Sequence, residues 1–381
     1  MRLEKQLEIF IVTFNRSNAL NKTLNVLLDK SCPVKNCNIT VLDNNSNDST
    51  REIVKELQQQ HCNLNYLCNR VNIGGNGNIA YAFFLASKKY VWVLADDDSY
   101  KWDSFYEVEE AMEKDADAIM VSTYEFPWID IAQFFIQATF LPSVIYKTSL
   151  INAETMLNMT VNIPNLFPHV ALVADLINRN ITIPIVRHGI VKREPNEDCL
   201  DESGKKIRYD RGYKSNSYIH PLFANMNWLS GYANSLYLIS DKKERSYLAS
   251  HSMFQMWPLT SAEAIAYNRK HSNNSIYNLC CIFCVLNLKY KIRFIINIIF
   301  YYSLYRIIYI KSNYKADYKK GIIYKQYRLQ IFSFLKFHIF KTKFTPKKLL
   351  GAHSLQERMS DLIRPKNLYS NIKADSNHSK K

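Results

Sequence analysis

The chain has 381 residues, 47% of them hydrophobic and 22% charged, with nine Gly and eleven Pro. That length allows two or three domains and that apolar content supports a sizeable core, so collagen-like, Pro/Gly low-complexity and wholly disordered classes are excluded. The net charge of +15 is uneven: from Lys289 onward 21 Lys and Arg face four acids, whereas residues 1–288 hold 28 basic and 30 acidic residues, so a near-neutral body carries a strongly basic C-terminal part.

The elements follow in chain order. Leu7–Thr13 is an apolar run that reads as a buried strand, and Ser17 opens a helix with Leu20, Leu24, Leu27 and Leu28 on one face. Asn38–Leu42 is a second strand, followed by a helix capped by Asp48 or Ser49 with Ile53, Val54 and Leu57 on its apolar side. Leu64–Cys68 is a short third strand, Gly77–Ser87 a helix, Tyr90–Ala95 a very apolar fourth strand, Trp102–Lys114 a helix and Ala118–Tyr124 a fifth strand. Repeated β-α units of this length predict a mostly parallel sheet with helices on both faces. Beyond residue 125 the pattern loosens into a strand at Ser143–Tyr146, helices at Ala153–Met159 and Val170–Arg179, a strand at Ile181–Val186 and a polar loop at Glu194–Ser217. From Pro221 helical patterns dominate. Ile276–Leu288 and Phe294–Ile310 are apolar but shorter than the roughly 20 residues of a simple spanning helix. Basic residues interleaved with aromatics follow, a composition suited to helices lying in a membrane interface; a helical domain packed on the body is the competing reading.

Eight cysteines show no metal or disulfide spacing, which points to a reducing compartment. The N-terminus, with Glu4 and Glu8 in a short apolar run, does not read as a signal peptide, so the body is expected in the cytoplasm.

Four signals carry chemistry. In open α/β sheets ligands bind beyond the carboxyl ends of strands. Thr13-Phe14-Asn15-Arg16 lies at the first such end, and Asp43-Asn44-Asn45-Ser46-Asn47-Asp48 at the second. The second serves either as Asx turns with a helix cap or as a hydrogen-bonding site for a nucleotide base or ribose through Asp43. Asn72-Ile73-Gly74-Gly75-Asn76-Gly77-Asn78 is a loop whose glycines permit close backbone approach. Gly75, Gly77 and Ala80 with Asp96 also satisfy the spacing of a dinucleotide fingerprint, but that motif belongs after the first strand. Asp96-Asp97-Asp98 ends the buried fourth strand. Three mutually repelling carboxylates there suit a hard divalent cation, Mg²⁺ or Mn²⁺, bridging phosphates, against the alternative of a solvated turn.

The ordered set resembles the family 2 glycosyltransferases of the GT-A fold, clearly over residues 7–125 and weakly over 126–190. The resemblance implies an α/β fold with a GT-A-like nucleotide-binding domain and a mostly parallel sheet, and composition adds to it a helical, basic, membrane-associating C-terminal region. It implies a nucleotide-sugar donor whose pocket is lined by Thr13, Asn15, Arg16 and Asp43, with Asn72, Gly75 and Asn78 shaping its wall. Asp96 and Asp98 would form the family's Asp-x-Asp, with Asp98 the direct ligand of Mn²⁺ or Mg²⁺. Where many members carry Glu-Asp before the acceptor-side helix, this chain reads Phe167-Pro168-His169-Val170. His169 is therefore the candidate general base, against a local structural role, with Asp175 the runner-up. His188 is a weaker candidate, as a metal-binding histidine of the later half.

The resulting expectation is an inverting, metal-assisted transferase acting on a saccharide acceptor that is lipid-linked, at the cytoplasmic face of a bacterial membrane. The expected setting is assembly of surface polysaccharide such as capsule or lipopolysaccharide. The basic tail is expected to bind an anionic membrane surface and no nucleic acid. The expected division is 1–125 for the donor half, 126–220 for the acceptor half, 221–275 for a helical extension and 276–381 for the membrane-associating region. Three rivals predict other behaviour: a Rossmann oxidoreductase protected by NAD, a sugar nucleotidyltransferase, and a non-catalytic nucleic-acid binder with steep salt dependence.

Overall fold

The computed structural model describes residues 2–121, 131–181, 183–186, 188–192, 199–200, 206–207, 228–250, 280–281, 283–292, 294–296, 308–317, 322–331 and 335–344. In chain order the elements are α1 (Leu3–Gln6), β1 (Leu7–Thr13), α2 (Ser17–Leu28), β2 (Asn38–Asp43), α3 (Thr50–Gln58), β3 (Leu64–Cys68), α4 (Gly75–Phe84), β4 (Tyr90–Ala95), β5 (Ser99–Tyr100), α5 (Phe105–Glu113) and β6 (Ala118–Met120). There follow α6 (Ile131–Gln137), β7 (Val144–Lys147), α7 (Ala153–Asn162), α8 (Val170–Asn178), β8 (Val191–Lys192), β9 (Cys199–Leu200), β10 (Lys206–Ile207), α9 (Trp228–Ser235), α10 (Lys242–Ser250), β11 (Ile308–Asp317), β12 (Ile322–Ile331) and β13 (Leu335–Phe344).

The main sheet has the order β3-β2-β1-β4-β7-β6, with β3, β2, β1 and β4 parallel and β7 antiparallel to both of its neighbours. Strand β1 is mostly apolar because it is buried on both faces, as expected for a central parallel strand. Its side chains alternate between two cores. Leu7, Ile9 and Ile11 join Tyr90, Trp92 and Leu94 of β4 under α2, α3 and α5. Phe10 joins Val91 and Val93 of β4 under α4, α6, α7 and α8. The period of two thus divides each strand between two helical layers. Buried Glu8 breaks that pattern, and its carboxylate accepts the backbone N–H groups of Ser87 and Lys88 and pins the turn that enters β4.

Several expectations shift. Helix α4 starts at Gly75, two residues before the predicted start, and β6 ends at Met120, with 122–130 outside the described residues. The strand expected at Ile181–Val186 reduces to one parallel bridge between Ile185 and Met120. Strands β6 and β7 lie in one sheet, so the division expected at residue 125 is crossed by the sheet itself. The second core also reaches Tyr232, Leu236, Leu248, Val285, Leu286 and Phe294, so the divisions at 220 and 275 are crossed by continuous packing.

The helical reading of the C-terminal region is corrected over residues 308–344, where β11, β12 and β13 form an antiparallel meander. The reason is visible in Leu335-Lys336-Phe337-His338, where apolar and basic residues alternate with the period of a strand. Basic-aromatic composition alone cannot separate that pattern from an interfacial helix. Residues 297–307 and 345–381 of the expected membrane region lie outside the described residues, as does most of the loop expected at Glu194–Ser217. Among the described residues no helix is long and apolar enough to cross a membrane.

Candidate active site

The register Val12↔Ala95 brings the ends of β1 and β4 side by side. Asp96, 2% exposed, therefore sits beside Thr13, whose hydroxyl donates to Asp96 Oδ2 at 2.7 Å. Arg16, at the start of α2, reaches back with Nη1 2.8 Å from Asp96 Oδ1 and Nη2 2.5 Å from Asp97 Oδ2. Thr23 of α2 donates to the backbone carbonyl of Asp96 at 2.9 Å. Burial pushes the Asp96 carboxyl up to about 6; the Arg16 guanidinium opposes this and the Asp97 charge adds to it. Thr13, Arg16 and Asp96 thus form one contact network. Arg16 is engaged with carboxylates, a role for which Asp97 was not singled out.

Asp43, at the end of β2, is buried and internally satisfied. Its Oδ1 accepts Ser46 Oγ at 2.6 Å and Ser46 N at 3.0 Å, and its Oδ2 accepts the Tyr66 hydroxyl at 2.6 Å. The Asx-turn reading holds here, and the loop lies against the end of β1: Asn15, in the left-handed region at φ 52°, donates its N–H to Ser46 Oγ at 2.8 Å and accepts Asn47 N at 2.8 Å. Asp48 joins two helix starts, accepting Ser17 N at 2.9 Å and Thr50 N at 3.1 Å.

Around the Gly-rich loop runs a chain of amides. Asn44 donates to Asn72 Oδ1 at 2.7 Å and accepts Asn69 Nδ2 at 3.0 Å. Asn69 Nδ2 also donates to Asn78 Oδ1 at 2.9 Å, and Asn78 donates to the Leu42 carbonyl at 2.9 Å. Asn72 and Asn78 are thereby placed together. The Nδ2 of Asn72 is a buried donor with no acceptor among the described residues, a group a ligand oxygen can satisfy. The glycine whose backbone demands glycine is Gly74, at φ 79°, immediately before α4. Gly75 is exposed with open space where a Cβ would stand, so it leaves room and contacts nothing. The dinucleotide-type spacing falls in the first turns of α4, after β3 in the third β-α unit, which is the wrong place for that fingerprint. Asn76 continues the chain of contacts by donating to the Ile163 carbonyl at 3.0 Å, linking this loop to the α7–α8 turn.

Asp98 lies half-buried between β4 and β5. Burial and the three nearby carboxylates, Asp98 first, hold the Tyr100 hydroxyl well above its ordinary range; its ring stacks on Trp102 at 5.4 Å. Among the described residues no group of three His, Cys, Asp or Glu closes into a metal cage. A Mg²⁺ or Mn²⁺ ion taken by one or two carboxylates plus substrate phosphates needs no cage, and hard oxygens at a strand end are the donor set it uses. The residues fit such an ion.

The acceptor-side candidates are placed differently. His169 is 1% exposed, and its Nε2 donates to the Ala138 carbonyl at 2.9 Å. Burial pulls its basicity down to about 4, so it is neutral near pH 7, with the lone pair on Nδ1. In this conformation the imidazole ties α8 to the end of α6, and no acceptor hydroxyl can touch it. Asp175 forms a two-point ion pair with Arg179, at 2.7 and 3.1 Å, and burial raises its carboxyl against the pull of Arg179. His188 is exposed. Leu166, in the left-handed region at φ 73°, precedes the Phe167-Pro168-His169 segment, so the entry to α8 is strained.

Sequence reasoning passed over Thr23, Tyr66, Asn44, Asn69 and Asp97. Asn44 and Asp97 stand inside quoted motifs and could have been included. Tyr66 and Asn69 carry no local signal, since only the β2–β3 register brings them to Asp43 and Asn44.

Residues 8–174 match a family profile described as Glycosyl transferase family 2. A stretch of 94 residues is 33% identical to the GalNAc(5)-diNAcBac-PP-undecaprenol beta-1,3-glucosyltransferase of Campylobacter jejuni subsp. jejuni serotype O:2, covering 24% of this chain and 30% of the relative's length. Among solved structures the chain is similar to S. aureus TarS 1-349 in complex with UDP-GlcNAc, at 15% identity and TM-score 0.49 over 78% of this chain and 87% of that one. It is also similar to the Pyrobaculum calidifontis mannosyltransferase PcManGT in complex with GDP-Man and Mn2+, at 14% identity and TM-score 0.41 over 78% and 82%. The match spans the sheet, the carboxylate cluster and α8 up to Ala174, so this part of the chain is similar to glycosyl transferase family 2.

Proposed function

We propose that the chain is an inverting glycosyltransferase that moves a sugar from a nucleotide-sugar donor to a hydroxyl of a saccharide acceptor. The observation that carries this reading is the convergence of Thr13, Arg16, Asp96 and Asp97 at the carboxyl ends of β1 and β4, inside the part of the chain similar to family 2. The nucleotide is assigned to the crevice bounded by Asn15, Asp43, Asn72, Gly75 and Asn78. Asn72 Nδ2 is available to it as a buried donor, while Asp43 shapes the wall through Ser46 and Tyr66. Asp98, with Asp96 beside it, would hold Mn²⁺ or Mg²⁺, which supplies Lewis-acid neutralisation of the diphosphate. The acceptor oxygen attacks the anomeric carbon as the bond to the diphosphate oxygen breaks. The nucleoside diphosphate leaves, and the hydroxyl proton passes to a base at the start of α8. His169 is assigned that role, its neutral Nδ1 being the proton-accepting atom once the strained 163–169 turn opens; Asp175, with its raised carboxyl, is the alternative.

The same reading assigns residues 8–174 to transfer and the later, basic part to an anionic membrane surface, with no nucleic-acid partner. The Campylobacter relative's printed name specifies an undecaprenol-diphosphate-linked glycan, which supports a lipid-linked acceptor here. A peripheral position at the cytoplasmic face and a role in surface polysaccharide, capsule or lipopolysaccharide, follow as the proposed setting. The test is thermal protection by nucleoside diphosphates and nucleotide sugars with and without Mn²⁺. Protection by one nucleoside diphosphate, enhanced by Mn²⁺ and lost in Asp98→Asn, is expected; protection by NAD alone would overturn the proposal.

A further inference from the structure

Helix α10 and the helical residues 283–285 and 288–292 border a half-open cavity of about 880 Å³, lined by none of the carboxylate-cluster residues. Lys242, Lys243, Arg245 and Lys291 line it, against a single lining acid, Asp241. Arg245 is held in place: its Nη2 donates to the Ile239 carbonyl at 2.8 Å and its guanidinium lies 5.0 Å from the Tyr237 ring centre. Lys291 lies 5.0 Å from the ring centre of Phe283. The cavity floor includes Val285 and Leu286, so it is cationic and partly apolar.

Beside the cavity the helical residues 288–292 and 294–296 are apolar on two faces. Phe294 is buried in the core, whereas Leu288, Ile292, Ile295 and Ile296 are 74, 52, 44 and 58% exposed. The spacing i, i+4, i+7, i+8 puts these four on one stripe. Large apolar side chains gathered on one exposed face mark a surface meant for an apolar partner. Lys289, exposed, flanks the same stripe.

We propose that the cavity receives the phosphate headgroup of an anionic lipid while Leu288, Ile292, Ile295 and Ile296 enter the bilayer beside it. Charge complementarity and position together select this occupant. A bilayer presents a phosphate layer directly above an apolar layer, the same order in which the cationic cavity and the apolar stripe lie next to each other. The proposal deepens the membrane-associated reading given above and rests on it.

The experiment uses the full chain and sedimentation with vesicles of phosphatidylglycerol mixed with phosphatidylcholine, or of phosphatidylcholine alone. The double variants Lys242→Glu/Lys243→Glu and Ile292→Ser/Ile296→Ser alter exposed residues outside the transfer site. Each is expected to weaken binding to the anionic vesicles by about tenfold or more, with nucleotide protection unchanged. Added salt should weaken the wild type and the serine variant and have less effect on the glutamate variant. Lys311→Glu/Lys315→Glu in β11, the same charge change outside the cavity, is the control and should lose clearly less binding than the cavity variant. Should a variant fail to fold, a polarity-sensitive dye on Ile296→Cys must still shift to the blue with anionic vesicles. The proposal is overturned if the cavity and stripe variants bind as the wild type does, if only the β11 control loses binding, or if the dye does not shift. Full competition by millimolar inorganic phosphate would also overturn it, as that outcome marks a free-phosphate site. Loss of vesicle binding with intact nucleotide protection leaves the transferase reading standing, so the two failures are distinguishable.

Discussion

The two sides of the central sheet edge are held together by different physics. At the carboxyl ends of β1, β2 and β3, side chains are locked by hydrogen bonds: Thr13 to Asp96, Tyr66 to Asp43, Asn44 to Asn72 and Asn69. On the side of α6, α7, α8 and α9 the order comes from packing. Val170–Ala174, Phe134, Phe135, Tyr232 and Phe294 form one apolar mass, in which the buried imidazole of His169 has one hydrogen bond. A polar network fails locally when one member is lost, because each leaves a named partner unsatisfied. A packed interlock fails globally, because its members lie far apart in the chain.

The largest effect expected from that contrast comes from truncation. Ending the chain before Ile276 removes the buried Val285, Leu286 and Phe294, each contributing about 1.5–3 kcal/mol of burial. Thermal unfolding should show the shortened protein largely unfolded, whereas ending it after Ile296 should leave a cooperative transition. Equal stability of the two would detach the last helices from the core. Next is Asp98→Asn, which should lower transfer by about 10²–10³ or more while leaving the melting temperature unchanged or slightly higher, since one of three like charges is removed. A large loss of stability would place Asp98 within the structural network.

The pH response of His169 tests the packed side. Its folded basicity is lowered to about 4 from an ordinary 6.5, so the unfolded chain binds more protons between these values. Stability is therefore full above pH 6.5 and falls toward pH 4, by on the order of 3 kcal/mol in total. His169→Gln should flatten that slope in a series of melts; an unchanged slope would mean that the ring titrates like an exposed one. The smallest effect is at Gly231 in α9, where a Cβ would stand 2.4 Å from the Asn165 carbonyl oxygen. Gly231→Ala should cost about 1–3 kcal/mol by forcing α9 off the 163–165 turn, read as a lower melting temperature.

How much of this was legible follows the same divide. The donor-side motifs are short and local, so Thr13, Arg16, Asp43, Asn72, Asn78 and the aspartate triplet could be read directly, along with the strands that carry them. The strand order, with β7 reversed between β4 and β6, depends on pairings between distant residues and has no local signature. His169 read as a reactive group because it stands where the resembled family carries Glu-Asp; its burial is set by α6, which contacts it only in three dimensions. The alternation in β13 was on the page, yet basic-aromatic composition masked it. Leu288, Ile295 and Ile296 read as parts of two apolar runs, Ile276–Leu288 and Phe294–Ile310, since only the packed structure separates Phe294 from its exposed neighbours.

The double engagement of Arg16 has one more consequence. Because its guanidinium already spans Asp96 and Asp97, the crevice carries its own resident counter-charge. Any phosphate that recruits this side chain must outbid two carboxylates, and the moment it succeeds those carboxylates are released together. On the proposed function, donor capture and the unmasking of the acidic strand end would be one exchange, and a guest that brings a phosphate without a compensating positive charge would be penalised at the threshold of the site.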